Sequence, residues 1–330
     1  MRRRAMLQLG AGAFAAVGAA SAVTAWETTR PADAAVPDDA ELARALGDFR
    51  SDTALVNGFR MHYVTGGSGD PVVLVPGWPT TWWSYRKIMP ALAQRYRVVA
   101  VDIRGMGGSD KPSGGFDKKT MAGDIHELIR TLGFDRVHLV GHDIGSMVAF
   151  SFAANHPDAT RSLSLLDVLH PDDSFYRIPM LQPPGSGVSV WWYAFNQVQS
   201  LPEKLLAGRA RELIDWHLGI GLVDQATITD FDRAVVADRY NRPGAVRCAN
   251  AWYQGFHQDI IDMRAYPELT APTLGLCSPI AYPAFQQTLP KLATDLRDII
   301  EVDKARHWLC DEDPDLVIRS LTTHFAATTR

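Results

Sequence analysis

One run constrains this chain more than any other. Val137-His138-Leu139-Val140 leads into Gly141-His142-Asp143-Ile144-Gly145, and Met147-Val148-Ala149-Phe150 follows at once. The first four residues read as a buried strand and the last four as the start of a buried helix. The turn between them must be sharp, and its two glycines leave room for it while the side chain of Asp143 is lifted above the end of the strand. A strand that feeds a helix in this way belongs to a layered α/β architecture.

The remaining pattern extends that architecture. Val72-Val73-Leu74-Val75, Val98-Val99-Ala100-Val101 and Leu163-Ser164-Leu165-Leu166 read as further buried strands, and Met121, Ile125, Leu128, Ile129 and Leu132 share one helical face. From about Val168 to Met263 the pattern becomes aromatic-rich and helical. Pro272-Thr273-Leu274-Gly275-Leu276 and Ile299-Ile300-Glu301-Val302 then resume the strands. The expectation is a mostly parallel central sheet with helices on both faces and an inserted helical cap. Its divisions are a leader and linker over 1–35, a first core part over 36–168, the cap over 169–263, and a second core part over 264–330.

The leader reads MRRRAMLQLGAGAFAAVGAASAVTA: a basic start, a mildly apolar Ala/Gly-rich stretch, and small residues suited to signal peptidase. It is expected to be an export signal, and Arg3-Arg4 before Ala5-Met6-Leu7 resembles the twin-arginine pattern. The alternative is an uncleaved anchor, for which the apolar run is at the short end. A periplasmic or extracellular enzyme is therefore expected, with no membrane segment in its mature form. The formal net charge of −4 and the absence of a long basic run give no reason to expect a nucleic-acid partner. A small-molecule substrate fits better. Cys248, Cys277 and Cys310 are odd in number and lack C-x-x-C spacing, so they read as packing residues. No metal-ligand spacing appears, no cofactor is called for, and the sequence leaves the oligomeric state open.

The residue type at the turn carries chemistry. A carboxylate attacking an acyl carbonyl would form a reactive anhydride, whereas attack on a saturated carbon forms an ordinary ester that water can hydrolyse. Asp143 thus points to hydrolysis by way of an alkyl ester. The loop Val75-Pro76-Gly77-Trp78-Pro79 follows a strand, and the backbone N–H groups of Trp78 and Ile144 are expected to form the oxyanion hole. His307, in a loop just past the last strand, is the candidate base. For the acid that orients it, Asp167 at the end of the Leu163–Leu166 strand is preferred, and Asp303 is the weaker choice. Trp191, Trp192, Tyr193 and Phe195 are candidate pocket residues from the cap, although such a cluster also serves packing.

From about Asp48 onward the chain resembles the epoxide hydrolase and haloalkane dehalogenase branch of the α/β-hydrolase superfamily. GHDIG, Asp167, VWWYAFNQVQSLPEKLLAGR and RYNRPGAVRCANAWYQGF look most like secreted bacterial epoxide hydrolases of the cystic-fibrosis transmembrane regulator inhibitory factor type. The resemblance implies a triad of Asp143, His307 and Asp167, and a cap tyrosine, Tyr253, that donates to the epoxide oxygen. This chain departs from the family in three places. Pro76 replaces the usual histidine of the oxyanion loop, Trp192 aligns with a cap histidine that donates to the same oxygen, and Ile144 replaces the Trp or Arg found after the nucleophile in dehalogenases. The expected activity is opening of an epoxide to a vicinal diol. Dehalogenation of a haloalkane or haloacid by the same Asp, and a secreted binding protein without turnover, are the alternatives.

Overall fold

The computed structural model describes residues 36–179 and 190–328. The segment 1–35, read above as export signal and linker, lies outside the described residues. Eight strands form one sheet: β1 (Phe49–Val56), β2 (Phe59–Gly66), β3 (Pro71–Val75), β4 (Arg97–Val101), β5 (Val137–His142), β6 (Thr160–Leu166), β7 (Thr273–Cys277) and β8 (Leu296–Glu301). Their spatial order is β1-β2-β4-β3-β5-β6-β7-β8. β2 pairs antiparallel with β1 and β4, and every pair from β4 to β8 is parallel. The shift of β3 past β4 brings β3 beside β5, so the loops that follow these two strands emerge next to each other.

Strands β3 and β5 are buried along their whole length, as a parallel sheet covered on both faces requires. Alternate side chains then feed two separate cores. Val73, Val75, Val99 and Leu139 pack with Met121, Ile125 and Leu128 of the helix Lys118–Thr131 and with Met147 and Phe150 of the helix Ile144–Asn155. Val72, Leu74, Val98 and Val140 pack on the other face with Leu42, Val317, Leu321 and Phe325. The three cysteines are buried and unbridged. Among the described residues no helix is long and apolar enough to cross a membrane.

Between β6 and β7 lie the helices Trp191–Gln197, Leu201–Leu206, Ala210–Gly221, Asp230–Asn241, Ala245–Gln254 and Phe256–Met263. Buried ion pairs fasten this insertion to the sheet. Arg86 reaches Asp232 at 2.7 Å and Asp311 at 2.9 Å, and Lys118 Nζ meets Asp259 at 2.8 Å. Trp83 and Trp252 add indole N–H bonds across the same boundary, to Asp232 and to the carbonyl of Arg104.

Candidate active site

The turn after β5 leaves no space for larger residues. A Cβ built on Gly145 would lie 1.9 Å from the carbonyl oxygen of Val75, and one on Gly141 would lie 2.2 Å from that of Gly145. Asp143 between them holds φ 54° and ψ −123°, and its side chain makes no capping bond to the helix that starts beside it. Its carboxylate faces the loop after β3 instead. Oδ1 accepts the backbone N–H of Trp78 at 2.6 Å, and the neighbouring N–H of Ile144 also favours the charged carboxylate. Gly77 lets the loop come so close, since a Cβ there would lie 2.3 Å from Oδ1. Both amides expected to form the oxyanion hole therefore converge on Asp143, with Pro76 in place of the usual histidine.

His307 stands on the other side of the carboxylate, its Nε2 3.8 Å from Asp143 Oδ2. Its Nδ1–H donates to Asp167 Oδ2 at 2.6 Å, and Asp167 Oδ1 accepts the N–H of Ser278 at 2.8 Å. Asp303 is exposed, and among the described contacts the carboxylate bonded to His307 is that of Asp167. Burial raises the pKa of Asp143 above the ordinary carboxylate value, against the pull of His307 and the two amides. Burial acts the opposite way on His307, yet the hydrogen bond and charge of Asp167, helped by Asp143, outweigh it and raise its pKa. His142 holds the base loop in place: its Nε2–H donates to the carbonyl of His307 at 2.8 Å, and burial keeps the ring neutral with a pKa of about 3.

Above these groups lies a cavity of about 350 Å³ whose walls include Asp143, Asp167, His307, Trp192 and Tyr193. Trp191 is not part of that wall. It packs edge-on against Trp216 at 5.1 Å and Phe195 at 5.5 Å and lines a neighbouring groove with Tyr176, because successive positions of the helix Trp191–Gln197 point in different directions. Tyr253 is buried, with its ring centroid 5.3 Å from that of Trp78 and 5.5 Å from that of Tyr193. Burial and the charge of Asp143 push its phenol far above the ordinary value, while the neighbouring Trp192 side chain acts the other way. Trp192 lines the cavity wall beside Tyr193, and its indole N–H can only donate. Two histidines escaped the sequence reading, His142 beside Asp143 and His217, which lines the cavity from the helix Ala210–Gly221. The first was visible inside GHDIG, whereas a histidine in an apolar helix face gives no signal of its own.

Residues 70–194 match the family model of the alpha/beta hydrolase fold. A soluble epoxide hydrolase of Corynebacterium sp. (strain C12) is 33% identical over 284 residues, which span 83% of this chain and 96% of that protein. This chain belongs to the epoxide hydrolase branch of the α/β-hydrolase superfamily. As a member of that branch it is an α/β-hydrolase-fold enzyme. The structure of Cfl2 from Burkholderia cenocepacia superposes with a TM-score of 0.78 at 31% identity, covering 85% of this chain and 97% of that one. The branch also touches dehalogenases: a fluoroacetate dehalogenase of Burkholderia sp is 39% identical over 149 residues, 43% of this chain and 48% of that protein.

Proposed function

We propose that this enzyme opens an epoxide to a vicinal diol through a covalent ester on Asp143. The observation that carries this reading is the division of labour at one carboxylate: Oδ1 is held by the Trp78 amide at 2.6 Å, and Oδ2 faces the cavity and His307 at 3.8 Å. Asp143 Oδ2 attacks an epoxide carbon, the ring C–O bond breaks, and the leaving oxygen takes the proton of Tyr253, whose phenol burial keeps protonated. His307 then removes a proton from water, and the hydroxide adds to the ester carbonyl. The oxyanion so formed is received by the N–H groups of Trp78 and Ile144. Collapse expels the product oxygen, which takes the proton left on the acid, and the proton on His307 returns to the Tyr253 phenolate. Asp167 fixes the tautomer of His307 and stabilises its charged form.

Halide displacement by the same Asp143 is the second reading, supported by the likeness to the fluoroacetate dehalogenase. The epoxide is favoured because the likeness to the soluble epoxide hydrolase runs over 83% of this chain and that to the dehalogenase over 43%. A panel of 1,2-epoxyhexane, 1-bromobutane and fluoroacetate separates these outcomes. Diol is expected from the first. Bromide or fluoride without diol would replace the reading with dehalogenation, and no product from any would favour a binding protein. For residues 1–35 we propose twin-arginine export, to be tested by replacing Arg3 and Arg4 with Lys and assaying the cell fractions; unchanged export would reject it.

A further inference from the structure

His217 lines the active-site cavity between two aromatic rings, its centroid 4.3 Å from that of Trp78 and 4.9 Å from that of Trp192. It is 6% exposed. Its Nδ1 lies 3.1 Å from the carbonyl oxygen of Leu213, one turn back along the same helix. A carbonyl only accepts, so Nδ1 carries the proton. Burial lowers the pKa of the ring to about 3, and the nearby His307 pushes it the same way, so His217 is neutral at working pH. Its Nε2 therefore holds a lone pair and no proton. This nitrogen is buried and has no hydrogen-bond partner among the described residues.

An unpaired buried acceptor destabilises the free enzyme and is relieved by any ligand that brings a donor. His217 cannot itself supply the proton that ring opening needs, and an epoxide ring offers none to it. The donor must come from elsewhere on the substrate. We infer that His217 is a specificity residue whose Nε2 accepts a hydrogen bond from a hydroxyl on the non-reacting arm of the epoxide substrate. A hydroxyl pairs this uncharged acceptor without bringing a further charge into the buried site. The inference rests on the epoxide reading above and narrows its substrate class to hydroxy-epoxides.

The test compares 3,4-epoxybutan-1-ol, 4,5-epoxypentan-1-ol and 5,6-epoxyhexan-1-ol, each with its methyl ether, by kcat/KM for diol formation. At the length that reaches Nε2, the alcohol should exceed its ether by about tenfold or more, as expected when a donor pairs an otherwise unsatisfied buried acceptor. His217→Phe keeps the ring volume but removes the acceptor, and should bring that ratio to near one. His217→Gln, whose amide oxygen can accept, should restore part of it. Ratios near one at all three lengths in the wild-type enzyme would overturn the inference whether or not the variants fold, and so would a preference that persists in His217→Phe. Diol from all six compounds without preference sinks this inference alone; no diol from any of them withdraws the epoxide reading as well.

Discussion

A non-glycine residue at φ 54° and ψ −123° stores strain of about 1–3 kcal/mol, and Asp143 is kept there by glycines that cannot be enlarged and by the Trp78 amide on its carboxylate. On the proposed mechanism this group attacks the substrate and His307 clears the ester. His307→Gln should therefore leave alkylation of Asp143 intact and block hydrolysis, so that intact-protein mass shows a stable substrate adduct mapped to Asp143. An adduct elsewhere would remove Asp143 from its role. The pH dependence follows from the neighbours. His307 must be neutral to accept a proton, and its pKa lies above 6.5, so kcat limited by hydrolysis should fall as pH drops through that raised value. Asp167→Asn removes the charge that holds the pKa up and leaves burial to dominate. The acid limb should then move to lower pH while kcat falls steeply, on the order of a thousandfold or more. An unmoved limb in that variant would mean another acid serves His307. The sequence pointed to Asp143, Asp167 and His307, which the fold brings together, because this kind of fold puts such groups at strand ends in that chain order. It did not reveal His217, since a histidine four residues after Leu213 in an apolar helix becomes distinctive only once its partners are known.

At the scale of elements, the boundary between sheet and cap rests on few side chains. Arg86 is buried between Asp232 of the helix Asp230–Asn241 and Asp311, which follows His307 closely in the chain. The contact with Asp311 is an ion pair more than an aligned hydrogen bond, and burial lifts the Asp311 carboxyl to about 6 even beside Arg86 and Lys87. Arg86→Leu would strand two buried carboxylates, which costs about 3–5 kcal/mol. At about 2–4 °C per kcal/mol, the thermal midpoint should fall on the order of 10 °C. A calorimetric midpoint within about 2 °C of wild type would show that this network does not hold the cap. The helices and central strands were legible because their apolar periodicity is strong. The hairpin β1–β2 was not, because polar Arg50, Ser51 and Asp52 hide its alternation. Its signal was the pair Asn57-Gly58, both at positive φ, which is the two-residue turn such hairpins favour.

For the whole molecule, the helix Asp39–Ala45 ties distant parts together. Asp39 Oδ1 accepts the indole N–H of Trp82, just beyond the oxyanion loop, and pairs with Arg239 of the cap at 3.1 Å, while the carbonyl of Pro37 accepts a second bond from Arg239. A chain that begins at Val36 should match the full-length protein in thermal midpoint and diol formation. One that begins at Asp48 leaves Arg239 without Asp39 and should lose on the order of 3 kcal/mol, read as an earlier chemical-denaturation midpoint. Equal midpoints would show that the helix is dispensable. The sheet order carries a consequence in time. Among the described residues β8 pairs with β7 at the sheet edge and is made after the other seven strands, with His307 just behind it. Asp143 and the amide of Trp78 beside it come much earlier. On the proposed mechanism, synthesis of β8 and the loop behind it is the step that turns a single-use scavenger into a catalyst.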